Sequence, residues 1–418
     1  MDKFIIDGGE RLSGSVKLQS AKNSVLPLFA ASVLTDKRVT ILQTPAISDA
    51  LCMAQILREL GAEVTFRGGD VVIDSSNACN HEISSALTKE LRSSVFMLGS
   101  LLTRFRRALI AYPGGCDIGL RPIDLHLNAL KRLGVEIEER DGYIFCKCDV
   151  MRGADISLDF PSVGATENIM LAAVKAEGKT TLSGAAKEPE IVDLQNFLNG
   201  MGAKVYGAGS DVIEIEGVKT LGGVTYRPLK DRIEAGTFLI ACAVCGGEVE
   251  ISGINAAPVG ILLHKLRENG CKIHSKNDKI IIESNGRLKC NRRIETMPFP
   301  GFPTDLQAQM TALNATCSGG ALVVENLFET RFKYVPELHK MGADIEVKGR
   351  HAFVRGVERL HGASVVAGDL RGGAALVIAA LGADGVSEVI DLSHIDRGYY
   401  DFQGKLKKIG ANIKRVRL

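Results

Sequence analysis

The sequence predicts an α/β protein of two domains, each made of three copies of one unit, with helices inside and sheets outside. Three observations predict it. A short signature recurs six times, as LRELGAEV, LKRLGVEI, LNGMGAKV, LRENGCKI, LHKMGADI and LKKIGANI. Its glycines, Gly61, Gly134, Gly202, Gly270, Gly342 and Gly410, stand 68 to 73 residues apart and fill the 418-residue chain. Upstream of each signature lies a nearly all-apolar segment of helical length: VLPLFAASVL, VFMLGSLL, ATENIMLAAV, EAGTFLIACAV, LQAQMTALNA and GGAALVIAAL.

The elements of one unit follow in order. A segment apolar on every side is a buried helix, because a helix facing water needs a polar stripe. The next helix is more amphipathic; in the first copy Ile47, Leu51, Ile56, Leu57 and Leu60 follow helical spacing. The signature then ends that helix at a C-cap glycine, which takes the left-handed backbone that other residues avoid. After the glycine the pattern alternates, as in Ala62-Glu63-Val64-Thr65-Phe66, which predicts a strand with one face buried.

Composition bounds the function. The chain is 45% hydrophobic and 24% charged, with a net charge of +2. That balance implies no general affinity for polyanions, so no nucleic-acid partner is expected. No apolar run of about 18 residues occurs, so no membrane span is expected. The N-terminus MDKFIIDGGERLSG has no signal-peptide core. A cytoplasmic protein with its ten cysteines as free thiols is the expectation. Cys242 and Cys245, and Cys146 and Cys148, lack a second pair at zinc-site spacing and read as small buried residues. The eight histidines do not cluster, and neither a dinucleotide fingerprint nor a phosphate-binding P-loop is present.

Charged or small polar residues recur where each buried helix begins: Lys22, Arg92, the Ser162-Val163-Gly164 turn, Asp231-Arg232, Asp305 and Arg371. They lie 37 to 42 residues before the unit's glycine. Arg121, Arg331 and Arg397 recur 11 to 13 residues before it. Repeat symmetry would gather three helix N-termini per domain, and such termini with added cations suit anions. The expectation is a cleft between the domains that binds a multiply charged anion. The loop YPGGCDIGLRPIDLH places Cys116 in a Gly-rich segment, before a helix opened by Pro122 and near Arg121. A helix N-terminus and an arginine both make a thiol more acidic, while Asp117 acts the other way. His126 and His394 lie close to these positions in sequence and could serve the site or the core.

The stretches SAKNSVLPL, LRSSVFMLG, PGGCDIGLRPIDLH, FPSVGATENIM, EPEIVDLQNFL, DRIEAGTF, FPTDLQAQM, ETRFKYVPELHKMGA, DLRGGAALVIA and SHIDRGYYDF resemble, in order and over the whole chain, the enolpyruvyl transferases that act on UDP-N-acetylglucosamine in peptidoglycan precursor synthesis. The resemblance implies a two-domain inside-out α/β barrel, with one domain over 22–229, the other combining 1–21 with 230–418, and the active site in the cleft between them. It implies transfer of the enolpyruvyl group of phosphoenolpyruvate to the 3′-hydroxyl of UDP-N-acetylglucosamine, with release of phosphate and no metal or organic cofactor.

By the same resemblance Lys22, Arg121 and Arg397 grip phosphoenolpyruvate, with Arg92 and Arg371 nearby. Cys116 is the general acid and the target of the epoxide fosfomycin, and Asp305 accepts the sugar hydroxyl's proton. Asn23 holds the sugar. Uridine and diphosphate lie against Arg121, Pro122, Ile123, Asp124, Leu125, Ser162, Val163, Gly164 and Leu327. Glu188, Glu190, Asp231, Glu329 and Arg331 form a supporting charge network. The chain departs from the commoner family pattern at Ser20, Ser24-Val25 and Phe160. The sister reaction on 3-phosphoshikimate and a weakly active regulatory paralogue stay open beside this reading, and the sequence fixes no oligomeric state.

Overall fold

The computed structural model describes residues 2–114 and 122–417. Cys116, Asp117 and Arg121 fall outside the described residues. Among the described residues the chain forms two units. One runs from Ser20 to Leu229; the other joins the N-terminal segment ending at Gln19 to Lys230–Leu418.

Each unit is built around three buried helices. In the first they are α1 (Lys22–Ala31), α2 (Met97–Phe105) and α3 (Val163–Ala173). In the second they are α4 (Arg232–Cys245), α5 (Gln307–Thr316) and α6 (Leu370–Leu381). All of the α6 side chains are buried, as an all-apolar pattern requires. The helices of a unit pack on one another and close approaches use glycine. At Gly99 of α2 the backbone lies directly on α3, and its N–H donates to Asn168 Oδ1 at 2.7 Å. Three helix starts are capped by side chains the sequence offers there. Ser162 accepts from Ala165 N, Asp231 from Ile233 N and Glu234 N, and Asp369 from Arg371 N and Gly372 N.

The signature glycines behave as a repeated device. All six have φ between 88° and 110°. In every copy the residue after the glycine donates its N–H to the carbonyl five residues back: Ala62 to Leu57, Val135 to Leu130, Ala203 to Leu198, Cys271 to Leu266, Ala343 to Leu338 and Ala411 to Leu406. This closes the helix end and turns the chain into its strand.

Each repeat supplies a sheet, and among the described residues five are four-stranded and one is three-stranded. Asp155–Ser157, Lys179–Ser183, Val212–Glu216 and Lys204–Tyr206 show the plan, with a parallel first pair and two antiparallel pairs after it. In the three-stranded sheet the parallel edge is reduced to a bridge between Glu82 and Leu109. The last sheet takes a strand from the chain's beginning. β1 (Asp2–Asp7) lies between Val386–Ile390 and Asn412–Arg417, antiparallel to both. β2 (Leu12–Lys17) runs parallel to Gly247–Ser252. The apolar faces of the sheets join the buried helices in one core per unit.

Two local expectations are corrected. Leu51 follows the helical spacing but is 46% exposed, because helix Ser48–Glu59 buries the stripe carrying Ala50, Met53, Ala54 and Leu57. Pro122 does not open a helix; that helix is Asp124–Arg132, with Ile123 as its N-cap. The nine described cysteines are free thiols. Cys242 lies in α4, where burial pushes its thiol up to about 12. No helix among the described residues is long and apolar enough to cross a membrane.

Candidate active site

In the unit of residues 20–229 the predicted residues stand at helix starts. Lys22 is the first residue of α1. Its Nζ lies 2.7 Å from Asp49 Oδ2, in the first turn of Ser48–Glu59, with the side chains 15% and 5% exposed. Drawing a cation this far from water is costly unless an opposite charge lies beside it. Asp49 escaped the sequence reading, since it looks like an ordinary first-turn acid of an amphipathic helix. Asn23 follows, half-buried. Arg92 opens the 3-10 turn Arg92–Phe96 that leads into α2, and its Nη1 donates to Pro113 O at 3.1 Å. That turn packs on both α1 and α3, and its Phe96 lies beside Gly164 at the start of α3.

Val163 and Gly164 form the half-buried first turn of α3 behind the Ser162 cap. A Cβ on Gly164 would meet His126 Cε1 at 3.1 Å and Phe96 Cε1 at 3.2 Å. His126 is buried there, with Nδ1 3.2 Å from Asn168 Nδ2, and so serves the core. Pro122 and Asp124 are exposed, Ile123 is buried and Leu125 is half-buried.

A cluster of carboxylates lies in the same unit. Glu188 is the N-cap of Pro189–Gly200 and Glu190 is its buried first-turn acid. Glu167 on α3 is 1% exposed. Burial, then Glu190 and Glu188, push its carboxyl well above the usual range. The sequence reading missed Glu167 because it sits inside the apolar run ATENIMLAAV. Its folded form holds the proton more tightly than the unfolded chain, whose ordinary value is 4.5. The stabilising contribution is therefore fully present below that value and is lost as pH rises through the higher folded one. Glu167→Gln, which mimics the protonated acid, is expected to raise the unfolding free energy at pH 8 by about 1–3 kcal/mol and to change it little at pH 4. Urea melts at the two pH values check this; equal shifts at both would sink it.

In the other unit an acid is held between two buried cations. Asp305 lies in the 3-10 turn Thr304–Leu306 that leads into α5. Its Oδ1 accepts from Arg331 Nη2 at 2.9 Å and its Oδ2 from Arg371 Nη2 at 3.0 Å. The two arginine side chains are 4% and 5% exposed, and that of Asp305 is 28% exposed. Burial works against a charged Arg371, but Asp305, then Tyr399 and Asp231, hold its guanidinium more firmly protonated than usual. Arg371 Nη1 donates to Tyr399 Oη at 3.3 Å, and its guanidinium lies 5.6 Å from the centre of that ring. The chain of bonds continues, for Tyr399 Oη is 2.8 Å from Thr237 Oγ1, which donates to Ile233 O. The bonds to Asp305 and Tyr399 hold the Arg371 guanidinium against the acid.

Glu325 organises the neighbouring turn. It is fully buried and accepts from Thr296 Oγ1, Thr304 Oγ1, Leu327 N and Phe328 N. It thus fixes both Leu327 and the residue before Asp305. A glutamate closing the apolar run ALVVE was the available signal, and the sequence reading passed over it. Glu329 is exposed and pairs with Arg350 at the surface. Arg397 ends the 3-10 turn Ile395–Arg397, half-buried. Asp231 caps α4 and acts electrostatically on Arg371, so the starts of α4, α5 and α6 gather.

Comparison with known proteins adds to this geometry. The EPSP synthase (3-phosphoshikimate 1-carboxyvinyltransferase) family model matches residues 6–406. UDP-N-acetylglucosamine 1-carboxyvinyltransferase 2 of Caldanaerobacter subterraneus subsp. tengcongensis is 50% identical over 416 residues, covering 100% of each chain. UDP-N-acetylglucosamine 1-carboxyvinyltransferase 1 of Staphylococcus aureus is 45% identical over 420 residues, again covering 100% of each. Among solved structures, the enolpyruvyl transferase NikO of Streptomyces tendae superposes with a TM-score of 0.89 at 25% identity, over 99% of each chain. EPSP synthase of Acinetobacter baumannii, at 16% identity and a TM-score of 0.76 over 100% of each chain, shares the fold. This chain belongs to the EPSP synthase family of carboxyvinyltransferases, in its UDP-N-acetylglucosamine 1-carboxyvinyltransferase branch.

Proposed function

We propose that the protein transfers the enolpyruvyl group of phosphoenolpyruvate to the 3′-hydroxyl of UDP-N-acetylglucosamine and releases phosphate, in the cytoplasm. The observation that carries the chemistry is the Asp305 carboxylate, bonded on both oxygens by buried arginines and 28% exposed. An acid so fixed can take a proton from a hydroxyl without first reorganising. The relatives' shared name supports the choice of sugar nucleotide.

The reaction needs an acid, a base and cations for a doubly anionic substrate. Cys116 protonates C3 of phosphoenolpyruvate, which leaves C2 electron-poor. The 3′-oxygen attacks C2 and its proton passes to Asp305. In the tetrahedral intermediate C3 then returns a proton to the Cys116 thiolate, the C–O bond to phosphate breaks with its electron pair leaving on phosphate, and the vinyl double bond is restored. Lys22, Arg121 and Arg397 bind phosphate and carboxylate, supported by Arg92 and Arg371. Asn23, the Pro122–Leu125 segment, the Ser162–Gly164 turn, Leu327 and Arg331 hold the sugar nucleotide.

The test is phosphate release from phosphoenolpyruvate with and without UDP-N-acetylglucosamine. Release is expected to require the sugar nucleotide, and Cys116→Ser to lose about 10²–10⁴ of it. Fosfomycin should add once, at Cys116, by peptide mapping. Release driven by 3-phosphoshikimate instead would transfer the reading to the sister reaction. No release from folded protein that still binds the sugar nucleotide would favour a binding role.

A further inference from the structure

We propose that Gln19 is a positioning residue for Arg397, its side-chain amide clamping the turn that carries that arginine. This rests on the reading above, in which Arg397 grips phosphoenolpyruvate. Gln19 is 8% exposed and is the last residue of the N-terminal segment in its unit. Its Nε2 donates to Gly398 O at 2.8 Å, and its Oε1 accepts from Tyr400 N at 2.8 Å. One amide thus satisfies a carbonyl and an N–H two residues apart, immediately after Arg397, as a neighbouring strand would. Turning the amide over would face oxygen to oxygen and N–H to N–H, so its orientation is fixed by these partners.

The clamp has a rigid base. Gln19 N donates to Glu234 Oε2 at 2.8 Å, and Gln19 O accepts from Asp231 N at 3.1 Å. Its backbone is therefore joined to the first turn of α4 in both directions. Glu234, 1% exposed, is itself held by Lys405 at 2.5 Å. Within the Arg397 turn the backbone bonds are local, Asp396 N to Leu392 O at 3.0 Å and Gly398 N and Tyr399 N to Ile395 O at 3.1 Å, with Arg397 N 3.4 Å from His394 O. The amide arms of Gln19 tie the backbone just beyond it to the start of α4, beside the side-chain bond from Tyr399 to Thr237.

The test uses the full-length enzyme. Gln19→Ala removes both arms but keeps the backbone bonds to Glu234 and Asp231. It is expected to raise KM for phosphoenolpyruvate about tenfold and leave KM for UDP-N-acetylglucosamine within about twofold. Gln19→Met, of similar length but without polar arms, should show the same split and keeps the test usable if the alanine variant folds poorly. In an Arg397→Lys background Gln19→Ala should add less than about twofold, since its effect passes through Arg397. An unchanged KM for phosphoenolpyruvate, equal rises for both substrates, or a full effect in the Arg397→Lys background would each overturn the proposal. If the unmodified protein releases no phosphate, the functional reading fails and the inference falls with it. If it is active and Gln19→Ala matches it, the inference alone fails.

Discussion

Asp305→Asn is expected to lower kcat/KM by about 10²–10⁴-fold and to destabilise its unit at the same time. The two effects have one cause. Both oxygens of Asp305 receive guanidinium donors, from Arg331 and Arg371. An asparagine offers one oxygen and one NH2, so one arginine would face a donor instead of an acceptor. Both arginines are nearly inaccessible to water and have little means of replacing the lost partner. The stability loss should be about 1–3 kcal/mol, below the figure for a wholly buried pair, because Asp305 remains 28% exposed. Turnover and denaturant melts measured on the same samples separate the two. A variant that keeps more than a tenth of wild-type kcat/KM would refute the assignment of Asp305 as proton acceptor. A variant that loses turnover but not stability would refute the shared cause.

Gly99→Ala should cost about 2–3 kcal/mol of stability without touching the reacting groups. A Cβ there would sit 2.4 Å from Asn168 O and 2.6 Å from Asn168 Oδ1. The first of these is helix backbone and cannot rotate away. The second already accepts the Gly99 N–H, so relief on one side breaks a buried hydrogen bond on the other. Alanine is the better helix former by about 1 kcal/mol, which offsets only part of the overlap. Gly260→Ala is the matched control. Gly260 also lies in a helix, but nothing stands within 4 Å of its missing Cβ. That variant is expected to be neutral or more stable by up to about 1 kcal/mol. Equal urea midpoints for the two variants would show that the α2–α3 crossing tolerates a wider spacing.

The architecture was legible because it is written locally. The glycine of each signature needs a left-handed backbone, and the apolar run before it needs burial wherever it lands. Both conditions are met within about ten residues of sequence, and repetition made them unmistakable. The helix-start residues Lys22, Arg92, Asp305 and Arg371 were found for the same reason, by position within the repeat. What escaped depends on partners distant in the chain. Asp49 matters because Lys22 is beside it, and Glu325 because Thr296 and Thr304 turn toward it. Glu167 hides in an apolar run because a helix buried on every side tolerates a protonated acid, which periodicity cannot distinguish from an error. Leu51 shows the opposite failure, since spacing identifies a stripe but not which of its edges meets the core.

The position of β1 between the last two long strands of the chain has a consequence for biosynthesis. Asp2–Asp7 pairs with Val386–Ile390 and Asn412–Arg417, so its sheet is incomplete until Arg417 has left the ribosome. The Ser20–Leu229 unit has all its strands as soon as Leu229 has emerged. It can close during translation, while Asp2–Asp7 waits, unpaired, for its two partner strands. The late unit therefore pairs Asp2–Asp7 with Asn412–Arg417, a long sequence separation and the slowest kind of contact to form. A product stalled before Val386 would leave a folded Ser20–Leu229 unit and Asp2–Asp7 as an exposed, unpaired strand, which is the form most in need of a chaperone or a protease.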